Sequence, residues 1–213
     1  MNKELIIIGD VIKSRKKFHP NNWAFFHDSI DCINKNFNSS LKIPFSVYSG
    51  DSFGAVCKDL TSALEIVLAI QEFQRHQNSR IILIEDEVTF GMEKNNFLAL
   101  EGPALWRSEE KLKQAKKNNV QFLADIDIED QLITKITNTI VNLILAIRVD
   151  WNDTEWAIYK KYNHTIKQTD IAKDLNISQQ YVSKLIRKSH IKLIKSSEKK
   201  LQAIVGDIMQ KSA

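Results

Sequence analysis

The sequence predicts an α+β chain in two parts, a sheet-and-helix sandwich followed by an all-helical domain. Three observations carry this reading. Apolar runs of strand length alternate with helical periodicities over the first 125 residues of the 213-residue chain. Strand-like runs then stop, while helical spacing continues towards the end. The charge divides in the same way. Residues 151–213 hold 12 Lys and Arg against 6 Asp and Glu, whereas residues 1–150 hold 18 against 20.

The elements follow in order. Glu4–Gly9 is a continuous apolar run closed by Gly9-Asp10, the pattern of a buried strand. Trp23–Phe37 spaces Phe26, Ile30, Ile33 and Phe37 as a helix does, with Asn21 or Asn22 available as its cap. Pro44–Cys57 reads as two strands around Ser49-Gly50-Asp51-Ser52. Leu60–Arg75 is an amphipathic helix, Arg80–Met92 further strand with a turn near Asp86, Leu105–Lys117 a helix, and Val120–Ala124 a last strand. The resulting order, βαββαβαβ, is that of a ferredoxin-like αβ sandwich with an added unit. We therefore expect such a domain over 1–125, a helical connector over 126–150 made of one or two helices, and a small helical domain over 151–213.

Composition narrows the function classes. Gly 6 and Pro 3 exclude collagen-like and Pro-rich architectures, and 43% hydrophobic residues suffice for a core. The most apolar stretch, Ile136–Val149, is interrupted by Thr137, Asn138, Thr139, Asn142 and Arg148, so no membrane span is expected. With no secretory signal pattern and only Cys32 and Cys57, both expected to be partly buried thiols, the reading is cytoplasmic. The five His residues lack metal-ligand spacing.

The most specific pattern lies at Gln168–Arg187. A helix-turn-helix needs a small residue where two helices cross, apolar residues on the facing sides and a tight turn. Ala172 is the small residue; Ile171, Leu175, Ile177, Val182 and Leu185 form the inward set. Asn176 tolerates the left-handed turn conformation, and Ser178 is a natural N-cap. The second helix then turns Gln179, Gln180, Tyr181, Ser183, Lys184 and Arg187 outward, residue types that bond base edges and phosphates. With Ser178, these are the expected contacts to double-stranded DNA. The pattern resembles the helix-turn-helix of sigma-factor region 4 and of response-regulator output domains.

In the first domain Asp10 ends a strand and Asp51 sits in the hairpin turn. A ferredoxin-like sheet makes these strands neighbours, so the two carboxylates are candidates to hold Mg²⁺ against the phosphates of a nucleotide. Lys13 and Arg15 follow Asp10 closely and suit phosphate charge. The plain alternative is that Gly-Asp merely ends a strand in a turn.

The segments Gly9-Asp10-Val11-Ile12-Lys13-Ser14-Arg15, Ser49-Gly50-Asp51-Ser52-Phe53 and Glu101-Gly102-Pro103-Ala104-Leu105-Trp106-Arg107 resemble the SatD family over nearly the whole chain. That resemblance implies an N-terminal domain similar to the nucleotidyl cyclase fold of class III cyclases and GGDEF diguanylate cyclases. There Asp10 and Asp51 match the two metal-binding positions. The hairpin departs from the related pattern at Ser52 and Gly54, and the Trp106–Glu110 region offers no Asn of the kind class III cyclases use on a late helix. The expectation is a DNA-binding transcriptional regulator, a homodimer, whose cyclase-like domain binds metal and nucleotide or mediates dimerisation. An active Mg²⁺-dependent nucleotidyl cyclase controlled by its helix-turn-helix is the alternative, and a protein-interaction adaptor a third reading. No catalytic residue is assigned.

Overall fold

The computed structural model describes residues 3–13, 20–75, 77–126, 131–163 and 165–211. The chain forms two compact units, Met1–Asn142 and Leu143–Ala213. The first contains β1 (Lys3–Val11), α1 (Pro20–Asn36), β2 (Leu41–Tyr48), β3 (Ser52–Cys57), α2 (Leu60–Phe73), β4 (Ser79–Glu87), α3 (Pro103–Asn118) and β5 (Phe122–Asp125). These make a five-stranded sheet in the order β2-β3-β1-β4-β5. The first four strands are antiparallel neighbours, and β5 is parallel to β4.

β1 is central, and every residue after Lys3 is buried. An apolar run without alternation is what a strand covered on both faces requires. Ile6 and Ile8 join Ile82, Ile84, Phe97, Leu100, Ala104 and Ala115 on the face covered by α3. On the opposite face Phe53 packs against Phe26 of α1 and Phe45, with ring centroids 5.9 Å apart in each pair. Gly9 makes room for Phe53, because a Cβ there would lie 2.4 Å from the ring.

Element boundaries depart from the sequence expectations by a few residues at several places, and two of these bear on the argument. α1 starts at Pro20, so Asn21 and Asn22 lie inside it and do not cap it; proline's fixed φ suits the first helical position. β4 keeps Asp86 within the strand and ends at Glu87, short of the expected Met92. Arg107 of α3 anchors this end of the strand. Its guanidinium bonds Asp86 (2.9 Å) on β4 and Asp125 (2.7 Å) on β5, and Lys111 adds a second contact to Asp125 at 2.7 Å. Beyond β4 the chain forms short 3₁₀ turns, with Gly91 and Asn95 in the left-handed region. Cys57 is buried, and burial, then the charge of Asp59, pushes its thiol up to about 12; Cys32 is exposed.

The outer edge of β5 is closed by side chains. The helix α4 (Gln131–Arg148) carries Asn138 and Asn142 one turn apart. Asn138 accepts from the Ala124 amide at 2.6 Å and donates to the Ala124 carbonyl at 3.0 Å. Asn142 accepts from the Phe122 amide at 3.1 Å and donates to the Phe122 carbonyl at 2.8 Å. Four helical residues rise about 6 Å and two strand residues about 6.6 Å, so the spacings match. Two amides thus satisfy backbone groups that would otherwise offer pairing to another strand.

The second unit holds α5 (Asp153–Lys161), α6 (Gln168–Asp174), α7 (Gln179–Lys188) and α8 (Ile191–Lys211), after the last turns of α4. Its core contains Trp156, Ile158, Ile171, Ala172, Val182, Leu185, Ile191 and Leu201. Arg148 is fully buried within it, paired with Glu198 and the Tyr159 hydroxyl. The guanidinium carbon also lies 4.5 Å from the Tyr159 ring centroid and 5.5 Å from that of Trp156. Tyr159 donates to Glu198 at 2.7 Å. A buried charge persists only when paired and hydrogen-bonded in this way. α5 begins with a capping box between Asn152 and Glu155.

Asn142→Leu leaves the Phe122 amide and carbonyl unsatisfied. We expect a stability loss of about 1–3 kcal/mol, read by urea unfolding, with faster hydrogen exchange at Phe122. Unchanged exchange would show that the edge is closed by other means.

The Arg107 network predicts an acid limb. Burial works to raise Asp86 and Asp125, but hydrogen bonds from Arg107, joined at Asp125 by Lys111, hold both carboxyls below the ordinary range. A depressed native pKa adds stability above the unfolded value, about 3.9 for Asp. That stability is lost as pH falls through the native value. Arg107→Ala should flatten the dependence of the urea midpoint on pH below about pH 4. A variant with the parental slope would contradict the network's role.

Candidate functional site

Strand pairing brings Asp10 and the hairpin turn to one end of the sheet. Asp10 lies opposite Ser52, and the next amide, of Val11, donates to the Asp51 carbonyl at 3.1 Å. The turn is made by Ser49 and Gly50, both in the left-handed region. Asp51 is half-buried at its end. Lys13 follows β1 in a left-handed conformation and is exposed. Arg15 lies outside the described residues.

Asp10 is only 6% exposed. It shares the sheet face of Ile8, since side chains two residues apart point the same way. On that face Lys116, in the last turn of α3, reaches Asp10 Oδ2 at 2.5 Å. The other oxygen, Oδ1, is buried and has no hydrogen-bond partner among the described residues. The sequence reading placed Asp10 beside Asp51 but missed Lys116, for which the chain offers no local signal.

On the same face lies a cleft of about 310 Å³ lined by Ile8, Tyr48, Phe97, Leu100, Trp106 and Glu109, among others. Gly54 lets Phe97, which lines the cleft, pack against β3, because a Cβ there would lie 2.2 Å from the Phe97 ring. Phe97 in turn stacks on Tyr48, with ring centroids 5.8 Å apart. Burial pushes the Tyr48 phenol up to about 12, helped by the negative charges of Glu109 and Asp10. Trp106 is 71% exposed at the rim.

The donor set discriminates between kinds of metal site. Among the described residues no group of three or more His, Cys, Asp or Glu is placed to hold a metal ion, so a closed all-protein cage does not fit. A hard divalent ion that keeps water or phosphate oxygens as most of its ligands does fit. It needs one or two carboxylate oxygens, and Asp10 Oδ1 is a buried oxygen without a partner. Arg107 is committed to Asp86 and Asp125, and the hydroxyl of Ser108 is spent on the Ala104 carbonyl.

The second unit presents a different surface. α6 and α7 are joined by a short turn in which Asn176 has φ 53°, and the Ile177 amide donates to the Ala172 carbonyl at 3.0 Å. Ala172 is buried beneath, and Ser178 caps α7 by accepting from the Tyr181 amide at 3.1 Å. Val182, Leu185 and Ile186 face inward. Gln179, Gln180, Tyr181, Lys184 and Arg187 are exposed and Ser183 is half-buried. Gln179 donates to Gln168 at 3.1 Å, which joins the start of α7 to the start of α6.

Among the described residues no helix is long and apolar enough to cross a membrane. No curated protein matches the chain. Among solved structures, a bacterial light-regulated adenylyl cyclase is similar at 12% identity and a TM-score of 0.43. The match covers 58% of this chain and 43% of that one. The SatD family profile matches residues 4–205, and the chain belongs to the SatD family.

Proposed function

We propose that the chain is a DNA-binding regulator. In this reading α6 and α7 form a helix-turn-helix, and α7 enters the major groove of double-stranded DNA. The exposed row on α7 carries the proposal. Gln179, Gln180, Tyr181, Lys184 and Arg187 stand on a helix fixed from behind by Val182 and Leu185 and from its start by Ser178. Gln and Arg suit base edges, Lys184 suits phosphate, and the N-terminal turn of such a helix is the part that approaches the bases. The excess of 12 basic over 6 acidic residues in 151–213 supplies the sequence-independent attraction.

The sheet unit belongs, in the same reading, to the ferredoxin-like, nucleotidyl cyclase-like kind. Support comes from the order β2-β3-β1-β4 and from crossovers through α1 and α2 that each skip one strand. Its role is to bind a nucleotide with Mg²⁺. Asp10, with Asp51, would hold the ion, and a bound ion would neutralise phosphate oxygens there. Lys116 offsets part of the Asp10 charge, and Lys13 meets phosphate from the open side. The alternative, an active cyclase, is disfavoured by the hairpin departures at Ser52 and Gly54 and by the lack of an Asn in the Trp106–Glu110 region.

Two experiments test these readings. The full chain should bind duplex DNA non-specifically at roughly 10⁻⁴–10⁻⁶ M, with affinity falling steeply as salt rises. Lys184→Ala should weaken binding to all sequences and lower the salt slope by about one. Salt-insensitive binding, or none, would remove the DNA reading. For the sheet unit, Mn²⁺ with a nucleoside triphosphate should raise the melting temperature of the parent, since a ligand that binds only the native state stabilises it. Asp10→Asn should abolish that shift. An unresponsive parent, or an equally responsive variant, would remove the metal reading.

A further inference from the structure

Gln179 differs from its exposed neighbours on α7 in being held by another side chain. Its Nε2 donates to Gln168 Oε1 at 3.1 Å, so the bond runs from the first residue of α7 to the first residue of α6. Gln168 is half-buried and Gln179 is exposed. Neither amide has another hydrogen-bond partner among the described residues. The backbone beneath them is fixed: Ile171, Ala172, Val182 and Leu185 are buried, and Ser178 caps α7 immediately before Gln179. Gln180, also exposed, has no partner of this kind among the described residues, so its amide can turn either end outward.

A glutamine amide has one acceptor oxygen and two N–H donors. Gln168 takes one N–H of Gln179, which leaves a donor and an acceptor free. In the major groove adenine alone shows the complement of that pair, the N7 acceptor beside the N6 amino donor. Guanine shows two acceptors, N7 and O6, and would set an oxygen against Oε1. Cytosine shows a donor alone, and thymine an acceptor and a methyl group. The Gln168 oxygen accepts and cannot donate, so it fixes which end of the Gln179 amide is nitrogen. We infer that Gln179 reads an adenine in the bound duplex and that Gln168 is the residue that positions its amide to do so. This rests on the DNA reading above and adds the base that α7 selects at its first residue, the part of such a helix that approaches base edges. Gln168 touches no base in this arrangement; it acts through Gln179.

The test is selection from a randomised duplex library by the full-length chain, followed by titration of the selected duplex. The parent should recover a site with adenine at one position, preferred over other bases by roughly five- to hundredfold. Gln179→Ala should lose the preference there alone and keep salt-dependent binding. Gln179→Glu should exchange adenine for cytosine, whose N4 amino group a carboxylate accepts from. Gln168→Ala should weaken the adenine preference and admit guanine, whereas Gln168→Glu, which still offers an acceptor, should keep it and bind all sequences more weakly. Replacing that adenine with 7-deazaadenine removes the N7 acceptor. It should weaken the parent several-fold and leave Gln179→Ala unaffected. A parent that binds duplex without selecting a base, an adenine preference that survives Gln179→Ala, or indifference to 7-deazaadenine would overturn the inference and leave the DNA reading standing. Full discrimination in Gln168→Ala would overturn the positioning role. Absence of salt-sensitive binding by the parent would remove both readings.

Discussion

Burial of β1 on both faces is the constraint on which the sheet unit depends. A strand that pairs with β3 on one side and β4 on the other, covered above and below, has no solvated face. Its sequence must therefore be apolar throughout, and Leu5-Ile6-Ile7-Ile8 is. The same constraint makes Asp10 unusual. The register that buries Ile8 beneath α3 also buries the carboxylate two residues on, where burial of a charge is costly without compensation. Lys116 compensates one oxygen and leaves the other without a partner. A buried, half-satisfied carboxylate at the end of a central strand is thus a product of the fold.

The helical unit solves an equivalent problem differently. Arg148 is buried without access to water, yet Glu198, Tyr159 and the aromatic faces around it account for its charge. Removing one partner would strand the other, so the cluster ties the end of α4 to α5 and α8. The α6–α7 pair rests on local determinants instead. Its turn, cap and close crossing are each set by one residue, Asn176, Ser178 and Ala172 respectively. α4 satisfies backbone groups of β5 through Asn138 and Asn142 and buries Val141 and Ile144.

What the sequence made legible follows the same division. The order of strands and helices could be read, because buried strands and amphipathic helices differ in period. The α6–α7 geometry could be read as well, since its signals lie within twenty residues. Long-range side-chain contacts could not. Nothing near Asp10 announces Lys116, and nothing near Asp86 announces Arg107. Asn138 and Asn142 were visible only as polar interruptions of an apolar run. Their work on β5 depends on a strand that ends thirteen residues before Asn138.

Whether α7 reads duplex DNA is decided by titrating a duplex oligonucleotide into the isotopically labelled full-length chain while following backbone amides by NMR. If it does, the largest shift changes fall on Ser178–Arg187, the helix-buried Val182 and Leu185 report it more weakly than exposed neighbours, and added salt reverses them. Changes confined to the sheet unit, or none at low salt, would contradict it.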